Sequence, residues 1–331
     1  MNLKRSTLAA AIVSTFALGV SSQASAEVYA GAALFVKDFN LTLPSGTSII
    51  DWSFTATSNA NLNGTPEAMS RDCSTLGTPC PTAPPVLQTV ADLGSPTRAL
   101  GDFTINGLTT GQTYSSSGAE INNAELATHT PTVTNQISET SISGTGVGYG
   151  STDLLSQTTM KFTFSTSGTG NLVLAFSANP YLRVEENSAD VVSALAVASI
   201  GARFELKGDS TSGNVNVVWS PDGLHSGMQA FDFGKCAGVT SCAEGADQYS
   251  LNDSASLPPE YPGSADNGLP GWGNYQITIS GLKAGKYTLS LNATTSVRAE
   301  QVVRQVPEPG ILALLGIGLA GMGMGARRRK A

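Results

Sequence analysis

Charge is scarce in this chain. Only 13% of its 331 residues are Asp, Glu, Lys or Arg, against a usual share of about 25%. Positive charge is scarcer than negative, 18 residues against 25, for a net of −7. A nucleic-acid surface needs clustered Lys and Arg, so that class is excluded. His129 and His225 are the only histidines, which leaves imidazole catalysis almost no place to sit. Aromatics make up 7%, and there are four Cys. The G-x-S-x-G, H-E-x-x-H and P-loop patterns are all missing. The chain is nevertheless 40% hydrophobic, too apolar for an acidic disordered segment. Hydroxyls and glycine fill the rest: 38 Ser, 34 Thr and 36 Gly. A Lys-poor chain rich in Thr, Ser, Gly and Val reads as an exported β protein.

Much of the continuous apolar length lies at the two ends. Met1-Asn2-Leu3-Lys4-Arg5 is a short positive segment, Leu8 to Val20 is an apolar run, and Ala24-Ser25-Ala26 before Glu27 is an A-x-A site. This is the layout of a signal peptide over residues 1–26, handled by the secretion machinery and cut after Ala26 by signal peptidase. The run is shorter than the ~20 residues of a spanning helix, which argues against a retained anchor. At the other end, Pro307-Glu308-Pro309 precedes 17 uncharged residues, 310–326, and Arg327-Arg328-Arg329-Lys330 follows. At about 1.5 Å per residue this run is ~26 Å long, just enough for a transmembrane helix. Pro307 and Pro309 discourage an earlier start. The basic cluster should stay in the cytoplasm, as should Lys4 and Arg5, which puts the body outside. A G-x-G-x-x-G at Gly316, Gly318 and Gly321 lies within the apolar run with no strand before it, and is a chance match.

The three-part end, residues 306–331, resembles the PEP-CTERM sorting signal. The resemblance implies a partner, an exosortase, which is a membrane protease with a Cys nucleophile. It would recognise Pro307, Glu308 and Pro309 and remove the helix after a transient membrane-anchored stage. The resemblance also implies an exported protein, at the cell surface or extracellular after processing, in the company of exopolysaccharide and biofilm. Asn179-Pro180-Tyr181 through Glu185-Glu186-Asn187-Ser188-Ala189-Asp190 is similar, imperfectly, to a group of such proteins with a Glu-Asp-Ser-Ala motif. That group implies no chemistry.

Between the signals, residues 27–305 keep 12 basic and 24 acidic residues, a net of −12. Such a body repels nucleic acid and anionic membranes. Cys73 and Cys80 form one close pair, Cys236 and Cys242 another. Outside the cytoplasm these spacings predict two local disulfide loops, each contributing ~2–3 kcal/mol and stapling loops rather than the fold. Neither pair has the C-x-x-C spacing of redox chemistry, and zinc would want shorter spacings or nearby His. Asp247 with Asp253, and Asp266-Asn267-Gly268, are oxygen-rich but read as turn residues rather than a calcium loop. No metal and no cofactor is expected.

Strand signals recur along the body. Met160–Ser165 alternates cleanly, and Ser48–Thr57, Asn171–Phe176, Ala194–Leu206, Asn214–Trp219 and Tyr275–Ser280 carry the same β-branched, period-two character. Ser/Thr/Gly clusters such as Ser141–Thr145 read as separators. Residues 188–199 mix helix-forming Ala with strand-forming Val. Residues 61–150, rich in Thr and Ser, read as long surface loops and edge strands. One pattern occurs twice: Thr104-Ile105-Asn106-Gly107-Leu108 with Gly111 and Tyr114, and Thr278-Ile279-Ser280-Gly281-Leu282 with Gly285 and Tyr287. It reads as strand, Gly turn, Leu plug, Gly turn, strand, with a Tyr packing at the corner as in immunoglobulin-like sandwiches. The expected fold is all-β, an antiparallel β-sandwich of immunoglobulin/fibronectin or jelly-roll type. One large domain is favoured, and two are allowed.

Chemistry is thin. Trp52 and Trp219 sit in strand patterns and read as core. Trp272 lies in a Gly/Pro loop, and with Tyr261 and Tyr275 it offers candidate stacking surfaces for a sugar ring. The rival reading is a loop folded over its own aromatic. The leading expectation is a non-catalytic surface or matrix protein processed by an exosortase. The alternatives are a carbohydrate-binding module for exopolysaccharide and a secreted hydrolase using a carboxylate pair.

Overall fold

The computed structural model describes residues 26–80, 87–108, 111–122, 133–144, 149–187, 191–211, 213–223, 233–257, 264–268 and 271–303. They form β-strands and no helix. In chain order these are β1 (Ala26–Thr42), β2 (Thr47–Leu62), β3 (Thr65–Ser74), β4 (Leu87–Gly94), β5 (Tyr114–Asn122), β6 (Val133–Gly144), β7 (Tyr149–Thr166) and β8 (Gly170–Asn187). Then come β9 (Val191–Ser210), β10 (Gly213–Trp219), β11 (Phe233–Ala237), β12 (Ser241–Asp247), β13 (Asp253–Leu257), β14 (Ser264–Gly268), β15 (Gly273–Leu282) and β16 (Gly285–Val303).

Two antiparallel sheets result. The first runs β12-β15-β8-β1-β6-β5-β4, with β14 also paired to β8. The second runs β11-β10-β9-β16-β7-β2-β3, with β13 also paired to β9. The two sheets share one apolar core, so the all-β, sandwich-like architecture follows from the alternation in the sequence. In β15, Tyr275, Ile277 and Ile279 point inward. In β9, inward positions run from Ala194 through Ala198 and Phe204 to Leu206. The stretch 191–199 is therefore strand, because alternate Ala residues fit a narrow interior.

The core has two characters. Toward one end it is aromatic. Phe54 packs edge-on against Phe162 at 5.7 Å, Phe164 stacks on Tyr287 at 5.4 Å, and Phe176 stacks on Tyr275 at 5.0 Å. Trp219 closes this group against Phe204 at 4.8 Å. Such pairs contribute roughly 0.5–1.5 kcal/mol each beyond their burial.

Toward the other end Ala, Ser and Thr mix with aliphatic residues such as Val28, Ile142, Leu182, Val184 and Val297. Here hydroxyls of one sheet bond to the other. Ser138 Oγ of β6 donates to the Thr295 carbonyl of β16 at 3.2 Å. Ser156 Oγ of β7 donates to the Gly118 carbonyl of β5 at 2.6 Å. Ser117 Oγ of β5 donates to the Asn59 carbonyl of β2 at 2.9 Å. Ser58 Oγ of β2 meets Thr89 of β4, both side chain and carbonyl. A short side chain can reach a backbone carbonyl across the gap only where the sheets approach closely.

This corrects two expectations. Residues 61–150 are not mainly loops. β5 and β6 are interior strands, and nearly every residue in them is buried. Ser141 to Gly144, read as a separator, completes β6. Their Ser and Thr looked like surface because hydroxyls are usually exposed, whereas here they serve a tight sheet-to-sheet contact.

Both copies of the repeated pattern bring a Tyr hydroxyl back onto a nearby carbonyl, but only the second joins two strands, because Thr104–Leu108 of the first copy is irregular and not the expected strand. Tyr114 Oη donates to the Gly107 carbonyl at 2.9 Å, and Tyr287 Oη to the Lys283 carbonyl at 2.6 Å. Gly107 and Gly281, the equivalent glycines, take φ of 71° and 77°, a region that L side chains avoid. Tyr114 lies in the first sheet and Tyr287 in the second, so the two copies serve one pair of sheets.

Entry and exit lie at the same end. Ala26 pairs with Gly144 and Glu27 with Asn187. Val302 pairs with Tyr149 and Val303 with Val191. The opposite end is made by the turns at 43–46, 167–169 and 283–284. The 19-residue β16 places the two ends roughly 60 Å apart.

Ser138→Val should cost about 1–3 kcal/mol in chemical denaturation, since it strands the buried Thr295 hydroxyl. Ser290→Val, on the outward side of β16, should change stability by less than about 0.5 kcal/mol. Equal costs for the two would mean that the interior hydroxyls do not hold the sheets together.

Candidate functional site

The densest polar cluster lies on the outer face of the first sheet. The segment joining β4 to β5 crosses this face as a strap and carries Phe103 and Ile105 onto Ala33, Ile137, Tyr181 and Phe35. Under it lies an ion pair between Arg98 Nη2 and Glu139 Oε2 at 2.6 Å, both side chains almost fully buried. Arg98 also donates to Ser116 Oγ at 3.1 Å, the Asp102 carbonyl at 2.7 Å and the Thr104 carbonyl at 2.9 Å. Glu139 accepts from Tyr29 Oη at 2.7 Å and from the Asn106 and Gly107 amides, each at 3.1 Å. A buried pair survives when such extra bonds offset desolvation.

With both its oxygens occupied and buried, Glu139 has no face to offer a substrate. The cluster therefore works as a clamp that fixes the strap on the sheet. The first copy of the repeated pattern supplies the clamp's amides through its Gly107 turn.

Three phenols sit in this cluster. Burial raises Tyr29 well above its ordinary value, and nearby Glu139 adds to the rise. Burial likewise raises Tyr114 and Tyr181. Above about pH 10 the unfolded chain loses protons from these groups while the folded chain keeps them. Their contribution to stability is complete below that pH and is lost as pH climbs beyond it. In an alkaline titration, tyrosinate absorbance from these residues should rise together with loss of near-UV circular dichroism. Smooth, independent ionisation near pH 10 with the fold intact would contradict the clamp.

The aromatic surface expected around Trp272 is not assembled as a unit. Trp272 is exposed, and Lys37 Nζ lies 4.1 Å from its ring centroid, occupying one face. Tyr275 is buried, stacked on Phe176, with its hydroxyl donating to the Tyr249 carbonyl at 2.9 Å. Its inward parity in β15 is the reason it cannot meet a sugar. Tyr261 lies outside the described residues, as do His129 and His225. Trp219 is core, as expected, and Trp52 is partly buried and packs against Phe54 at 5.1 Å.

The four Cys pair as expected from their spacing, Cys73 with Cys80 and Cys236 with Cys242. The second bond does more than close a loop. Cys236 is in β11, the edge of the second sheet, and Cys242 in β12, the edge of the first. Trp219 Nε1 donates to Glu244 Oε1 across the same seam at 2.7 Å. Replacing Cys236 and Cys242 by Ser should cost about 2 kcal/mol, with faster amide exchange in β11 and β12 and none in β1. Exchange confined to residues 237–241 would show that the bond staples only its loop.

Of the carboxylates weighed for calcium, Asp247 at the end of β12 accepts the Gly223 amide at 2.7 Å and Asp253 at the start of β13 accepts from Ser254 at 2.7 Å, whereas Asp266-Asn267-Gly268, read as turn residues, form part of β14 paired to β8. Among the described residues no cluster of three His, Cys, Asp or Glu is arranged for a metal. Near the Glu-Asp-Ser-Ala-like stretch, Arg183 pairs with Glu185 at 2.7 Å and burial raises the Glu186 carboxyl. Residues 188–190 lie outside the described set.

Ala24 and the sorting residues Pro307, Glu308, Pro309, Arg327, Arg328, Arg329 and Lys330 also lie outside the described residues, as does the expected helix 310–326. No helix among the described residues is long and apolar enough to cross a membrane. Glu27, the residue after the expected signal-peptide cut, is buried and accepts the Gly111 amide at 2.9 Å.

Residues 305–330 match the family profile of the PEP-CTERM protein-sorting motif. This motif implies export and exosortase-directed sorting to the cell surface. No curated protein and no solved structure matches the chain.

Proposed function

We propose that this chain, which carries a PEP-CTERM protein-sorting motif at residues 305–330, is a non-catalytic structural protein of the cell surface or extracellular matrix. In this reading a signal peptide directs export and is cut after Ala26. A helix over 310–326 then holds the protein in the membrane until an exosortase cuts at Pro307-Glu308-Pro309. The body works in the company of exopolysaccharide, as a rigid disulfide-stapled sandwich of immunoglobulin-like or jelly-roll type.

The observation that carries the reading is the motif, and the topology supports it. Ala26 and Val303 emerge at one end of the sandwich, so both terminal segments can reach one membrane without crossing the body. β1 begins at Ala26, which pairs with Gly144, so a cut after Ala26 would remove the first residue of that strand and leave its ladders from Glu27 onward intact. The non-catalytic assignment rests on the body's chemistry. Its most buried carboxylate, Glu139, is saturated by Arg98, Tyr29 and two amides, and the thiols are tied in disulfides.

Replacing Pro307, Glu308 and Pro309 together by Ala should keep the protein in the membrane fraction at a higher mass. The wild-type product should have lost the C-terminal helix and the basic tail by intact-mass measurement. Unchanged release of the triple variant would overturn the assignment.

A further inference from the structure

The outer face of the second sheet carries an open polar groove with a volume of about 480 Å³. Two cross-strand rows build it. Lys286, Asp209 and Asn214 stand side by side on β16, β9 and β10, and Thr288, Lys207 and Asn216 form the row beside them. The inward neighbours Leu206, Val215, Tyr287 and Leu289 are buried in the core, so the alternation of three strands aims all six polar side chains outward.

Two of the six side chains are engaged by the protein: Thr288 Oγ1 lies 3.3 Å from Thr163 Oγ1, and Lys207 pairs with Glu205 at 2.8 Å. Lys286, Asp209, Asn214 and Asn216 make no side-chain hydrogen bond or ion pair with the described residues. Asn216 Oδ1 is shielded from solvent and has no partner, although buried acceptors are normally satisfied. A carboxylate, an ammonium and two amides therefore stand side by side with no partner among the described residues.

The chemistry identifies the ligand class. A cationic site alone would suit any anion, but Asp209 opposes that. An apolar ligand would find no aromatic or aliphatic wall of any size. What fits adjacent acceptors and donors at strand spacing is a row of hydroxyls, each able to donate and accept. We propose that Lys207, Asp209, Asn214, Asn216, Lys286 and Thr288 bind an oligosaccharide through the vicinal hydroxyls of its rings. Asp209 accepts from the hydroxyls, while Lys286 and the Asn214 and Asn216 amide N–H groups donate to them.

The position suits such a role. The groove sits by the Lys283–Gly285 turn, at the end opposite Ala26 and Val303. Lys286 and Val303 are 17 positions apart on β16, roughly 55 Å along the strand. That places the groove at the end away from the membrane while the helix after Val303 tethers the chain there. Only this orientation rests on the sorting assignment, and the binding itself does not.

The test uses the full chain purified from expressing cells, titrated calorimetrically with a neutral (1→4)-linked glucan oligosaccharide and with a (1→4)-linked uronate oligosaccharide. Binding of either supports the proposal. Stronger binding of the uronate assigns the ligand's carboxylate to Lys286, and equal binding leaves recognition to the diols. Asp209→Asn combined with Asn216→Ala should weaken binding at least roughly tenfold with an unchanged denaturation midpoint. If that pair unfolds the protein, Lys286→Ala alone carries the test with the same sign. Periodate treatment of the bound glucan, which cleaves its vicinal diols, should abolish binding. Failure of both oligosaccharides to bind, equal binding by the groove variants, or retention of the diol-cleaved glucan would each overturn the proposal. So would loss of binding in Trp272→Ala with the groove variants unaffected. Release of the protein after loss of Pro307-Glu308-Pro309 would overturn the sorting assignment and leave this proposal standing.

Discussion

Hydroxyls that reach from one sheet to the backbone of the other set the spacing on which this sandwich depends. Ser138, Ser156, Ser117 and Ser58 each bond to a carbonyl on the opposite sheet. Each such bond contributes only about 0.5–1.5 kcal/mol net, but it acts as a fixed strut. Where the struts stand, small side chains such as Ala32, Ala119 and Thr158 lie between larger ones such as Leu182, Ile121 and Val297. Where they end, Phe54, Phe162, Phe164 and Tyr287 fill a wider gap. The low aromatic content and the abundance of Ser and Thr are thus two sides of one constraint.

The same constraint explains why a sheet needs clamps on its outer side. Small interior side chains bury little apolar area per residue, and burial contributes about 25 cal/mol per Å². The first sheet gains a second layer from the strap over Ala33, Ile137 and Tyr181. The strap is anchored by Arg98 and Glu139 rather than by bulk. At the far edges, where β11 and β12 could splay apart, a disulfide and the Trp219–Glu244 bond tie the sheets together. Three kinds of link do what a large aromatic core would do in a richer sequence.

The alternating strands were legible in the sequence, because period two survives translation into sheets. Met160–Ser165 and Tyr275–Ser280 lie inside β7 and β15 as their patterns required. The return of Tyr114 and Tyr287 onto their own turns was legible too, because Gly107, Gly281 and their Tyr partners interact within a few residues. What could not be read was anything set by partners far apart in the chain. The burial of β5 and β6 depends on strands β1, β2, β7 and β16. Arg98 and Glu139 are 41 positions apart, and no local pattern links them. Cys236 and Cys242 were paired correctly from spacing, but that they sit on two different sheets is a property of topology. For the same reason Tyr275 belongs to the core although it follows an exposed Trp272 by three positions.

The body's long strands also bear on how a sorted protein can present itself. Entry and exit at one end are a consequence of strand number and pairing: β1 and β16 are both interior strands that run their full length from or to that end. An interior strand held on both sides cannot peel away without breaking two ladders, whereas an edge strand breaks one. Each terminal segment is therefore attached to the part of its sheet that is hardest to unravel. A pull on either end loads two ladders in shear along roughly 60 Å of strand, which distributes the force over many backbone bonds at once. A tether placed on β3 or β12 would instead open an edge bond by bond. A sandwich loaded through β16 therefore resists force along its whole length rather than bond by bond.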